Sequence, residues 1–129
     1  MTLFDLYNYA DTHGIDVDYF PMSEVESVSF PCGWIALDVD KLNDSADEKV
    51  HLAHEIGHCE TGSFYNVYSP LDLRSKHEAR ADRWAIKKLI PKSELENAVS
   101  KGIKNVWDLA EYFGVPQDFM EKALSYYNN

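Results

Sequence analysis

The sequence predicts a single α+β domain spanning residues 1–129, in which a small sheet from the N-terminal third packs on a long helix and further helices close the other side. Three observations predict it. Between Ile15 and Tyr19, apolar residues alternate singly with aspartates, the period of a half-exposed strand. From Ser45 onward the pattern turns helical, with segments punctuated by glycine and proline. The length of 129 residues, with 45% hydrophobic and 26% charged side chains, is that of one domain with one core.

Taken in order, Thr2 is placed to cap a helix whose apolar stripe is Leu3, Leu6, Tyr7 and Ala10 and which Gly14 stops. His13 falls at its C-terminal end, where a cation suits the helix dipole. Ile15, Val17 and Tyr19 form the first strand, and Pro21 ends it. Val28 and Phe30 mark a second strand, Pro31-Cys32-Gly33 a turn, and Trp34 to Val39 a third strand, together an antiparallel sheet. Ser45 with Glu48 reads as a capping box for a helix that runs to about Glu60 and is stopped by Thr61-Gly62. Thr61 to Arg74 is a long connection holding Phe64, Tyr65, Tyr68 and Pro70, and connections of that length inside a domain are often functional. Ser75 with Glu78 reads as a second capping box, opening a helix to about Ile90 that Pro91 ends. Helices near 92–100, 105–113 and 117–127 follow, parted by Gly102 and Gly114.

Twenty-two acidic residues against 12 basic ones give a formal charge of −10. That balance argues against holding nucleic acid or an anionic membrane by net charge. No apolar run is long enough to span a bilayer. The N-terminus has no basic start followed by an apolar stretch, so a cytoplasmic protein is expected. Cys32 and Cys59 then read as two reduced, inert thiols.

The chemistry concentrates in His54-Glu55-Ile56-Gly57-His58, an HExxH pattern inside the first long helix. Residues four apart differ by about 40° around a helix, so both imidazoles project from one face and can meet one metal ion. Glu55 points about 100° away from His54, where it can flank a metal without ligating it and take a proton from water. The histidines share the apolar stripe of Val50, Ala53 and Gly57, so they face the interior and need partners. Gly57 itself is unfavourable in a helix by about 1 kcal/mol, which implies close approach of another element. A zinc site needs a third protein ligand. Glu78 and Asp82 lie on the apolar stripe of the second long helix with Ala81, Ala85 and Leu89. Glu78 as ligand, with Asp82 accepting a histidine N–H, accounts for both carboxylates, while His51 and His77 remain rival third ligands.

The pattern HEIGH, with Glu78-Ala79-Arg80-Ala81-Asp82-Arg83-Trp84-Ala85 about 20 residues on, resembles the ImmA/IrrE family of zinc metallopeptidases. The likeness extends through Trp34-Ile35-Ala36-Leu37, Leu89-Ile90-Pro91 and Leu109 to Val115, roughly residues 25–127. The resemblance implies a minimal zincin-like fold, zinc held by His54, His58 and Glu78, and Glu55 as general base. It also implies a protein substrate, a helix-turn-helix repressor of a phage or mobile element that is cleaved or inactivated. The strand at 34–39 can present an edge to an extended peptide. The alternative is a non-catalytic regulator with structural zinc that binds a repressor or DNA through residues 105–127, whose two helices have a helix-turn-helix outline. Asp118 and Glu121 against the lone Lys122 make a poor recognition helix, so a hairpin packed on the core is expected.

Overall fold

In the computed structural model, which describes residues 1–66 and 68–128, the first helix, α1 (Leu3–Thr12), begins at a reciprocal cap. The Asp5 N–H donates to the Thr2 hydroxyl, and the Thr2 N–H donates to the Asp5 carboxylate. Three strands follow, β1 (Asp16–Tyr19), β2 (Ser27–Phe30) and β3 (Trp34–Leu37). After a 3-10 turn at Val39–Lys41 come α2 (Ser45–Thr61), α3 (Leu71–Leu89), α4 (Lys92–Ser100), α5 (Val106–Phe113) and α6 (Gln117–Tyr127). No helix among the described residues is long and apolar enough to cross a membrane.

The α+β architecture is the expected one, but the sheet is mixed and not antiparallel throughout. Its order is β1-β3-β2, with β2 and β3 antiparallel and β1 and β3 parallel. The turn at 31–33, with Gly33 at φ 87°, folds β3 straight back on β2 and fixes that pair. Segment 20–26 first carries the chain across to the far edge, so β3 returns alongside β1 in the same direction. β3 is the most apolar strand, with Ile35, Ala36 and Leu37 no more than 1% exposed, and it takes the centre. It therefore has no free edge to offer a peptide; the open edges belong to β1 and β2. β3 also stops at Leu37, because the Asp38 carboxylate accepts the Asp40 N–H and draws Val39 into the 3-10 turn.

Two helix starts differ from the sequence reading. α2 is capped by Asp44 instead of Ser45. The Asp44 carboxylate accepts the Asp47 N–H at 2.8 Å, and the Asp47 carboxylate accepts the Asn43 N–H at 3.0 Å. A carboxylate at this position satisfies a free N–H and also suits the positive end of the dipole. α3 begins at Leu71, a turn before Ser75, because Pro70 at φ −58° directs the chain into the helix. Ser75 and Glu78 therefore lie inside α3 and form no capping box, which leaves the Glu78 carboxylate to other partners.

The core fills the space around α2. Leu52 and Ile56 of α2, Ile35 and Leu37 of β3, and Ile86 and Leu89 of α3 are at most 2% exposed. Each such burial contributes about 1.5–3 kcal/mol. α5 and α6 form the expected hairpin on this core through Leu109, Phe113 and Met120. Hydrogen bonds fasten it. Tyr127 donates to the Ile90 carbonyl at 2.6 Å, and the buried Lys49 of α2 donates to the Phe113 carbonyl at 2.7 Å, where α5 ends.

Candidate metal centre

α2 and α3 cross at Gly57. A Cβ there would lie 2.7 Å from the Ala81 carbonyl oxygen and 3.2 Å from the Trp84 Cβ. Glycine lets the helices approach this closely, which explains a poor helix former in mid-helix. The crossing brings His54 and His58, a turn apart on α2, against Glu78 and Asp82, a turn apart on α3. α2 ends at Gly62, with φ 63°, and the chain doubles back so that the carbonyl of the buried Ser63 meets His58.

The donor atoms converge. His54 Nε2 lies 2.7 Å from Glu78 Oε2, His58 Nε2 lies 3.0 Å from Glu78 Oε1, and the two Nε2 atoms are 3.2 Å apart. One ligand atom from each of the three residues falls within 4.8 Å of the others. Each ring is oriented through its other nitrogen: His54 Nδ1 donates to Asp82 Oδ1 at 2.7 Å, and His58 Nδ1 donates to the Ser63 carbonyl. A carbonyl oxygen only accepts, so His58 carries a proton on Nδ1 and, when neutral, aims its Nε2 lone pair into the cluster. Electron-rich atoms held this close need a positive charge among them. Two imidazole nitrogens and a carboxylate oxygen suit a divalent metal such as zinc.

When no metal is bound, protons take that place. Burial works against charging His54, but the Asp82 and Glu78 carboxylates outweigh it and push its pKa up to about 10. Burial also opposes charging His58, and Glu78 with the Ser63 carbonyl raises its pKa on balance. The hydrogen bonds from His54 and His58 hold the Glu78 carboxyl well below the usual carboxylate range. Burial raises Asp82, yet His54 and the Lys122 ammonium at 3.3 Å bring it down overall.

Glu55 is only 6% exposed and accepts two hydrogen bonds from β2, from Ser27 Oγ and Ser29 Oγ, each at 2.7 Å. The sequence reading missed these serines. Their spacing around Val28 puts both on the strand face turned to α2, but serines in a four-residue strand also read as turn residues. Tyr65 stands in the long connection between α2 and α3. It donates to Glu78 Oε1 at 2.8 Å and, with Val25, Val28, Phe64, Glu55 and His58, lines a cavity of about 220 Å³. On the other flank, His51, His54, Asp82, Phe119 and Lys122 border a second cavity of about 320 Å³. Tyr68 is 91% exposed.

The family model Peptidase_M78, the IrrE N-terminal-like domain, matches residues 10–125. The chain belongs to this peptidase family. No curated protein matches it. The matched span runs from the end of α1 into α6, so the whole convergent cluster lies inside the IrrE N-terminal-like domain.

Within this IrrE-like domain the rival histidines stand apart from the cluster. His51 Nδ1 lies 3.1 Å from the Ser27 hydroxyl, and its Nε2 lies 3.5 Å from Asp47 Oδ1. His77 stacks on Tyr65 with ring centroids 6.3 Å apart. Among the described residues, neither belongs to the convergent group. Cys32 and Cys59 are free thiols, and burial pushes the Cys59 thiol up to about 11, which keeps it protonated at neutral pH.

Proposed function

We propose that this chain is a zinc-dependent endopeptidase acting on a polypeptide laid along the open edge of β2. The convergence of His54, His58 and Glu78 beside the buried Glu55, inside an IrrE N-terminal-like domain, carries this reading. In it, His54, His58 and Glu78 hold the ion. Asp82 and the Ser63 carbonyl keep the two rings oriented, and the Tyr65 hydroxyl steadies Glu78. When bound, zinc supplies Lewis acidity toward a carbonyl oxygen and makes water more acidic. Glu55 takes a proton from water and passes it to the leaving amine, while Ser27 and Ser29 fix its carboxylate. A peptide added at β2 finds Val25, Val28 and Phe64 beside it as apolar walls. The resemblance to ImmA/IrrE enzymes of phages and mobile elements supports a helix-turn-helix repressor as the substrate.

Glu55→Gln tests this reading, because it keeps the side chain's size and removes its ability to accept a proton. The variant should fold and retain about one zinc per chain, the stoichiometry of a single site. Its cleavage of a co-encoded repressor, followed as loss of the full-length band, should fall by about 10²–10⁴-fold. If the variant inactivates the repressor as well as the parent does, the protein acts by binding and the peptidase reading fails.

A further inference from the structure

The sheet has two faces of different character. Ser27, Ser29, Ile35 and Leu37 lie on the side of α2. The alternate residues lie on the opposite side, where the register sets Phe30, Trp34 and Asp16 in one row and Val28, Ala36 and Asp18 in the next. Phe30 and Trp34 stack with centroids 5.0 Å apart and planes 16° apart, and Phe20 meets Trp34 edge-on at 6.4 Å. Phe20 is 54% exposed, Phe30 38% and the neighbouring Val25 42%. Helical packing against the sheet comes from α1 and α2, which use the other side. An aromatic cluster left in solvent marks an interaction surface.

The charge around the cluster points to its occupant. Residues 1–40 contain eight aspartates and glutamates and no lysine or arginine, so all 12 basic residues lie beyond them. Asp16 and Asp18 are exposed on this face, Glu24 and Glu26 are exposed in the segment that leads into β2, and Asp18 accepts the Trp34 Nε1–H at 2.8 Å. A surface apolar in its middle and acidic at its rim complements a polypeptide with apolar anchors set among lysines and arginines. A second copy of this chain meeting it face to face would bring the same acidic rim and be repelled. The surface also runs into the cleft, since Val25 and Val28 line the cavity that holds Glu55.

We propose that the outer sheet face, Phe20, Phe30 and Trp34 within their acidic rim, docks the substrate protein through a basic segment with apolar anchors, the composition of a surface that contacts nucleic acid phosphates. The word substrate rests on the peptidase reading; the docking does not depend on catalysis. The test uses the zinc-loaded full chain carrying Glu55→Gln, so that nothing is cut during the measurement. It is titrated with a labelled peptide of leucines alternating with lysines and arginines, and with a counterpart bearing glutamate at every basic position. The cationic peptide should bind, and added salt should weaken it. Phe20→Ala with Phe30→Ala should lower its affinity by about tenfold or more, the effect of losing aromatic anchors. Asp16→Lys with Glu26→Lys should weaken it as well. The same charge reversals at Asp72 and Glu96, away from this face, should leave it unchanged. In the parent background, cleavage of a short uncharged peptide should be unaltered by Phe20→Ala, which lies outside β2, whereas KM for a protein substrate should rise. Equal binding of the glutamate peptide, or indifference to the aromatic variants, overturns the proposal. So does a parent dimer that Phe30→Ala converts to monomer, which would make the face a self-association surface. Intact peptide binding without hydrolysis of any substrate sinks the peptidase reading alone.

Discussion

A methyl group at Gly57 would press on the Ala81 carbonyl oxygen at 2.7 Å, so α2 and α3 would have to part to admit it. Gly57→Ala should therefore destabilise the fold by about 1–3 kcal/mol, the usual effect of overpacking, although alanine is the better helix former. Zinc affinity should fall with it, because the proposed ligands stand on both helices. Thermal unfolding and competition with a chromophoric chelator read the two effects; an unchanged Tm would mean that the crossing has room. His54 carries a second prediction. Its pKa of about 10 means that, without metal, it is protonated at neutral pH, while Glu78 is already ionised. Zinc requires neutral imidazole, so binding must expel the His54 proton. Affinity should rise by at least about tenfold per pH unit below the raised pKa and level off above it. Calorimetry in buffers of different ionisation heat measures the release; zero net proton release at neutral pH would contradict it.

β2 supplies no donor to the cluster, yet it holds the carboxylate that the cluster is proposed to use. Ser27 and Ser29 reach Glu55 because a strand turns alternate residues to one face, and that face meets α2. Changing both serines to alanine leaves a buried carboxylate without its two donors. Hydrogen bonds to charged groups are worth about 1.5–3 kcal/mol each, so stability should drop measurably. Zinc stoichiometry should hold, while kcat falls more than KM changes. Parental kcat in the double variant would show that the serines do not position Glu55. The connection from Gly62 to Pro70 is the other element that matters. It reverses the chain between the helices that bear the cluster, and within it Ser63 orients His58 and Tyr65 holds Glu78.

At the scale of the whole molecule, a metal held as proposed between α2 and α3 would clamp the two helices that carry much of the core. A ligand that binds the folded chain alone stabilises it, by about 4 kcal/mol at a thousandfold excess over Kd. Removing zinc with a chelator should thus lower the Tm of the parent, and zinc should restore it. His58→Ala should begin near the chelated value and respond to neither treatment. An equal response in that variant would place the bound metal elsewhere. Charge is also divided along the chain, with eight acidic residues in 1–40 and every lysine and arginine after them. That division gives the protein a polarity that its net charge of −10 conceals.

By itself the sequence determined the helix order, the four-residue spacings of His54 with His58 and of Glu78 with Asp82, and the need for something to press on Gly57. These follow from local periodicity and steric size, which act between residues close in the chain. The cap of α2 was legible in kind but misplaced by a residue, because neighbouring polar residues compete for the same N–H groups, whereas α3 starts after Pro70 with no side-chain cap and the Ser75–Glu78 box does not form. Only the tertiary structure decided that β3 lies in the middle of a mixed sheet and that β2 keeps an open edge. It also decided that Ser27 and Ser29, far from Glu55 in sequence, are its hydrogen-bond partners. Strand order and cross-element hydrogen bonds depend on which surfaces meet when the core closes, and that choice is made by packing between distant segments.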